Sequence, residues 1–326
     1  MPDISKINAL AITSVSKVDG LAKASILDID GVAIPAAPAV AAYSVRLLDS
    51  LLGVTYTGAA MRVRRDTAGG TGDDDEADIA FDSGVISLDS AISNASAGVT
   101  ATTLGEFLNV GTVNSTTYSN PDSLSGTASC WVNQWKDQSG NGNHASNPNF
   151  VAQTKIHDGT VDTDLITENG EPAMTFGTFN QARNLDASIG TISQPFTAFM
   201  VAQGTWVQQF PYFYSAQSSN ICGHGQILGT DRLYAGTALA SSGYDETQKL
   251  FTDLFNGASS IMRQNGSQTG SGNVGSNSLV DLSIGRLYSP SNGLQGSMQE
   301  LIIYDADKTS SFSAIETDIN GFFGIY

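Results

Sequence analysis

The sequence predicts an all-β sandwich over residues 37–326, preceded by a short repeat arm, and three observations carry that expectation. Short apolar runs with period-two alternation recur along the chain, separated by Gly, Asn and Ser turns. Only 14% of the 326 residues are charged, well under the roughly 25% of ordinary soluble chains. Glycine is abundant, at 34 residues, which favours turns and disfavours long helices.

The arm repeats every eleven residues: ISKINALAITS (4–14), VSKVDGLAKAS (15–25) and ILDIDGVAIPA (26–36). That period also suits a helix drifting into a right-handed supercoil. Against it, Asp19-Gly20 and Asp30-Gly31 are type I′ turn signals, and glycine costs about 1 kcal/mol inside a helix. Short strands and turns are expected. The apolar row Ile4, Ile7, Val15, Val18, Ile26 and Ile29 is too thin for a core of its own. It needs a partner; the alternative is a flexible leader. Pro35 and Pro38 mark the boundary with the sandwich.

Within the sandwich, AAYSVRLLDSL (41–51) has helical spacing. MRVRRD (61–66) and ADIAFD (77–82) alternate as half-buried strands do, around a glycine-rich acidic loop. Brief helical turns are expected at 87–97 and 102–109, then strands at 130–137, 172–177, 196–204, 260–266, 279–286 and 298–305. Phe312, Ile315 and Ile319 fall at i, i+3 and i+7, the spacing of a closing helix.

KDQSGNGNHA (136–145) resembles a loop common to laminin-G-like and concanavalin A-like domains, and residues 282–326 are similar to their last strands and closing helix. The order AAYSVRLL, RVRR, DQSGNGN, NGLQG resembles the catalytic domain of arabinofuranosidase B type enzymes. The resemblance implies a two-sheet jelly roll whose concave face often meets glycans. It also implies a nucleophilic Glu just after a Gly-His pair, and an acid/base Asp between an Ile-Gly strand end and an Asn-Gly-x-Gln-Gly turn. Glycoside hydrolysis needs two such carboxyl groups roughly 5–10 Å apart. Here GHGQILG (223–229) offers Gln226, and IGRLYSPSNGLQG (284–296) offers Leu287 and Tyr288. No Asp or Glu lies between Asp186 and Asp231, or between Asp281 and Glu300. The expectation is therefore a protein that is not an enzyme, with no catalytic residues.

Weak ligand-contact candidates remain: Trp206, Asp137, Asn141, Asn143 and Gln226. The alternative for Asp137 and Asn141 is turn-forming hydrogen bonding beside Gly140 and Gly142 at positive φ; for Trp206 it is packing at the sandwich edge. No cofactor or metal is expected. His144, His157 and His224 lack HExxH spacing, Cys130 and Cys222 demand no bridge, and GSGNVG (270–275) lacks strand-to-helix context. Asp73, Asp74, Asp75 and Glu76 suit Ca²⁺ in ligand type but not spacing, so a solvated acidic loop is expected. A net charge of −17 opposes nucleic acid, and no apolar run reaches the ~18 residues of a membrane span.

The N-terminus has no basic region followed by an apolar stretch, although the composition suits an exposed adhesin. Together with the repeat, this predicts a phage virion protein made in the host cytoplasm: a head decoration, fibre or tail-associated component. It would be a homo-oligomer that docks on other virion proteins through residues 1–36 and meets a host-surface or environmental glycan. The alternative is a bacterial or phage glycan-binding protein or hydrolase.

Deleting residues 1–36 should leave a soluble, cooperatively melting domain. Mass spectrometry of purified virions should then detect the full chain and not the truncated one. Aggregation of the truncated chain would place the arm in the core, and its normal incorporation would make the arm a mere leader.

Overall fold

The two Asp-Gly pairs of the arm are each flanked by short antiparallel strands. In the computed structural model, Lys17–Val18 pairs with Leu21–Ala22, and Asp28–Ile29 pairs with Val32–Ala33. Val18 lies opposite Leu21 and Ile29 opposite Val32, the register that a two-residue hairpin connection imposes. Where the arm is described, it is strand. The structure describes residues 17–18, 21–22, 28–29, 32–33 and 38–326, without 68–73, 178–182, 206–210, 228, 242–244 and 289–292. Ile4, Ile7, Val15 and Ile26 lie outside the described residues. Met1–Pro38 and Ala39–Tyr326 are separate compact units.

The larger unit is all-β, as its alternating patterns require, and its antiparallel sheet of 19 strands folds over into two layers. One layer runs through Met61–Asp66, Ser129–Trp135, Thr154–Asp158, Met174–Thr175, Gly296–Tyr304, Phe196–Gly204, Lys249–Phe255 and Ser260–Gln264. The other runs through Leu185–Ile192, Leu279–Ile284, Tyr212–Ser215, Gly223–Ile227 and Thr230–Tyr234. The layers meet across an apolar core, where the ring of Phe213 lies 5.3 Å from that of Phe251.

The C-terminal helix, Phe312–Phe323, packs on the other side of the first layer, and Phe312, Ile315, Ile319 and Phe323 form its buried stripe. Each such side chain contributes roughly 1.5–3 kcal/mol by leaving water. Phe312 meets Phe199 edge-on at 5.9 Å, while the buried Glu316 accepts hydrogen bonds from Thr252 at 2.8 Å and Arg263 at 2.7 Å. Cys130 and Cys222 are free and buried. No helix among the described residues is long and apolar enough to cross a membrane.

Three local expectations need correction. Residues 41–44 form a strand, Ala41–Ser44, and the helix is confined to Asp49–Leu52. Pairing with Glu300–Ile303 buries all four strand residues and overrides their helical spacing. At 87–97 the chain pairs as a strand at Ile92–Ser93, whereas Leu104–Leu108 is helical, with Thr103 accepting the Glu106 N–H at its N-cap. The acidic run is not simply solvated: Asp74 binds Arg64 at 2.6 Å, Asp75 binds Arg65 at 2.7 Å, and Glu76 binds Arg62 at 2.7 Å. The hairpin of Met61–Asp66 with Glu76–Ile79 brings these opposite charges together. Asp73 lies outside the described residues.

Candidate functional site

The DQSGNGN loop is built around the carboxylate of Asp137, which is 1% exposed. Its Oδ1 accepts from the backbone N–H of Ala42 and of Ser139, both at 2.9 Å. Its Oδ2 accepts from the Ser139 hydroxyl at 2.8 Å and the Asn143 N–H at 2.9 Å. Asn141 donates to the carbonyls of Ala39 and Val40, and Asn143 donates to Val40. Gly140 and Gly142 take φ of 87° and 75°, which lets the loop close so tightly. These side-chain groups sew residues 39–42 to the end of the strand Ser129–Trp135. The described bonds are internal, and Trp206 lies outside the described residues.

Gln226 belongs to a buried polar cluster between the layers. The strand Gly223–Ile227 pairs with Thr230–Tyr234 so that Gln226 faces Asp231. Gly223 is required there, because a Cβ would sit 2.2 Å from the Tyr214 carbonyl oxygen. Asp231 accepts from Gln226 at 3.1 Å and from Gln264 at 2.6 Å. Asp253 accepts from His224 Nδ1 at 2.8 Å and from the Tyr214 hydroxyl at 2.9 Å. His224 Nε2 lies 3.9 Å from Asp231, too far for a hydrogen bond, and it has no other partner. His224, Asp231 and Asp253 are all 0% exposed. Burial alone would lower the imidazole pKa, but Asp253 and then Asp231 override it and raise it to about 9. An imidazolium thus sits between two carboxylates, enclosed from solvent.

A third group of residues faces outward. Cross-strand partners share a face of the sheet, and register aligns Arg64, Trp131, Lys155, Thr175 and Ser297 in one row. The Lys155 ammonium lies 4.5 Å from the centre of the Trp131 ring, and the Arg183 guanidinium lies 4.6 Å from it. Arg64 is 5.8 Å from the same ring and 4.5 Å from that of Phe150. Phe150 and Val151 beside it are 43% and 80% exposed. Burial, then the Arg183 charge, holds Lys155 below the usual lysine range.

Sequence reading placed none of Trp131, Lys155, Arg183 or Asp253 in a site. Asp253 did leave a signal, as one carboxylate within the apolar run KLFTDLF. The other three converge from separate strands and a loop, which no local motif records. Leu287 and Tyr288 are 8% and 44% exposed, and neither joins the described cluster around His224. Among the described residues no group of three or more His, Cys, Asp or Glu side chains is placed to hold a metal ion.

No family model matches the chain, and no curated protein matches it in sequence. Among solved structures it is similar to an arabinofuranosidase complexed with arabinofuranosyl-α-1,2-xylobiose, at 14% identity and a TM-score of 0.50. That likeness covers 87% of this chain, which spans 62% of the arabinofuranosidase chain. It is also similar to the binding domain of Paraclostridial Mosquitocidal Protein 1, at 10% identity, a TM-score of 0.45, and 58% and 50% of the two chains. A Trypanosoma rangeli sialidase is similar at 11% identity and a TM-score of 0.38, over 57% of this chain and 30% of its own. The arabinofuranosidase likeness is one of fold. It corrects the expectation that the chain is not an enzyme, because the sandwich is of a kind that a glycosidase has. The physical reason is that two empty sequence slots speak for those positions alone, whereas the fold brings together carboxylates far apart in the chain, as it does Asp231 and Asp253 around the enclosed His224.

The His224 charge makes stability depend on pH. Its pKa is raised from 6.5 to about 9, so its contribution is complete below about pH 6.5 and is lost as pH rises through about 9. Urea denaturation between pH 6 and 10 should show stability falling across that window by a few kcal/mol. A His224→Gln variant should show a flatter profile there; an unchanged slope would contradict the buried imidazolium.

Proposed function

We propose that the chain is a glycan-recognising β-sandwich carried on a virion by its repeat arm. The observation that carries the first half is the sandwich itself. It resembles, over 87% of this chain, an arabinofuranosidase that was solved with an arabinosylated xylobiose bound. The row around Trp131 supports it, since the partly exposed Trp131, Lys155 and Thr175 set an aromatic ring beside hydrogen-bond donors on one face, the usual means of orienting a sugar. The paired hairpins of the arm support the second half. A two-stranded unit of that length is marginal on its own and needs a partner to be stable.

Affinity electrophoresis of the full chain through gels containing plant or bacterial-surface polysaccharides tests the glycan reading. Retardation by at least one polysaccharide is expected, and it should weaken when Trp131 is replaced by Ala without loss of the melting transition. Unretarded migration through arabinoxylan, pectin and capsular polysaccharide alike would contradict it. Release of nitrophenol from an aryl arabinofuranoside, lost in Asp231→Asn, would extend the reading from recognition to hydrolysis.

A further inference from the structure

Arg46, Arg62, Arg64, Arg65, Arg263 and Arg286 each hold a carboxylate within 4 Å. Arg232, in the strand Thr230–Tyr234, forms no ion pair and no hydrogen bond among the described residues, and its Nε is enclosed without an acceptor. Such a donor on a charged group is costly to leave unpaired. The register of the second layer explains its isolation. Gln226 and His224 turn inward with their partners Asp231 and Leu233, so Arg232 and Tyr234 point to the outer face. Across that face Arg232 is flanked by Gly225 and, on the edge strand Ala238–Ala240, by Ala240. Tyr234 is flanked in the same way by Gly223 and Ala238. None of these four has a side-chain acceptor. Ala238 and Ala240 are exposed and Arg232 and Tyr234 half-buried, so two long side chains stand over a floor of glycine and alanine. Tyr212 walls one side. It pairs with Gly225, and a Cβ on that glycine would sit 3.0 Å from the Tyr212 ring. Burial pushes the Tyr212 phenol up to about 12, Tyr234 adds to that and Arg232 opposes it, so both lie within electrostatic reach of Tyr212.

We infer that Arg232, with Tyr212 and Tyr234 beside it, takes the acid group of an anionic saccharide, a carboxylate or a sulfate, on the outer face of the second layer. This rests on the glycan reading and adds to it a second face, on the other layer from the row around Trp131. The guanidinium is a planar fork of donors that an oxyanion meets with two parallel bonds. Tyr234, two residues along the same strand, offers the sugar a ring and a hydroxyl. The low floor of Gly225, Ala240, Gly223 and Ala238 leaves the flanks of both side chains open to a flat ligand. A single acid group fits this chain better than a polyanion does. The field of a −17 protein repels a continuous phosphate backbone, while one oxyanion at a half-buried guanidinium is held by the local charge.

The experiment is calorimetric titration of the full chain with trigalacturonate, with a sulfated N-acetylglucosamine oligomer and with neutral xylotriose. It is repeated on Arg232→Gln, on Arg232→Lys and, as a control at another cation, on Lys136→Gln. Melting curves with and without inorganic sulfate accompany each titration and show that each variant is folded. At least one acid sugar should bind more tightly than xylotriose, and the acid arm that binds identifies the carboxylate or the sulfate as the source. Its Kd should rise about tenfold or more in Arg232→Gln and stay unchanged in Lys136→Gln. Arg232→Lys, which keeps the charge and loses the fork, should fall between parent and Arg232→Gln. Acid and neutral sugars bound alike, or an Arg232→Gln protein that binds the acid sugar as tightly as the parent, would overturn the inference and leave glycan recognition standing. If no saccharide binds but sulfate raises the melting temperature of the parent and not of Arg232→Gln, the oxyanion site stands and the glycan reading falls. If neither sugars nor sulfate act through Arg232, the inference falls.

Discussion

Scarcity of positive charge is the constraint on which the rest of this structure depends. With 32 carboxylates and 15 Lys and Arg, the fold cannot give each acid its own cation, and a buried charge left alone costs several kcal/mol. Cations are placed where they join elements. Arg46 binds the fully buried Glu300 at 2.9 Å and Asp318 at 2.7 Å, tying the segment after Ala41–Ser44 to the central strand Gly296–Tyr304 and the C-terminal helix. Arg263 fastens the same helix through Glu316. Where no Lys or Arg is supplied, amides, a phenol and the His224 ring serve. Gln226 and Gln264 donate to Asp231, and Tyr214 and His224 both donate to Oδ2 of Asp253.

That distribution separates two kinds of chemistry. The cluster around His224 lies between the layers and is fully enclosed, so its acid–base character acts first on stability and its pH dependence. The row around Trp131 lies on the face of the first layer turned away from that cluster, where Lys155 and Arg183 share one aromatic ring. The Asp137 loop belongs to neither. Its carboxylate is filled by four donors from the protein, and its role is to hold residues 39–42 against the sheet.

Strands whose periodicity is local were legible in the sequence: Met61–Asp66, Phe196–Gly204, Leu279–Ile284 and Gly296–Tyr304 fall where alternation or apolar runs place them. So were the paired strands on either side of the Asp-Gly pairs and the helix stripe of Phe312, Ile315 and Ile319, because local pairing and helical spacing need no distant partner. Residues 41–44 misled, since their fate is set by pairing with Glu300–Ile303, more than 250 positions away. The acidic loop misled for the same reason on a shorter scale: its counter-charges lie on the partner strand. The two polar sites were illegible for a deeper reason. Lys155 meets Trp131 by cross-strand register, and Asp253 meets His224 across the core. Neither distance is encoded in a spacing.

The most direct test of the account is the titration of Lys155 itself, followed by NMR of the protein carrying carbon-13-labelled lysine, with a Lys155→Gln sample to assign the signal. The account predicts a midpoint below that of ordinary lysines in the free protein. A Lys155 signal that titrates with the other lysines would contradict the claim that burial and the neighbouring Arg183 charge outweigh Asp158 and Asp66 at this cation.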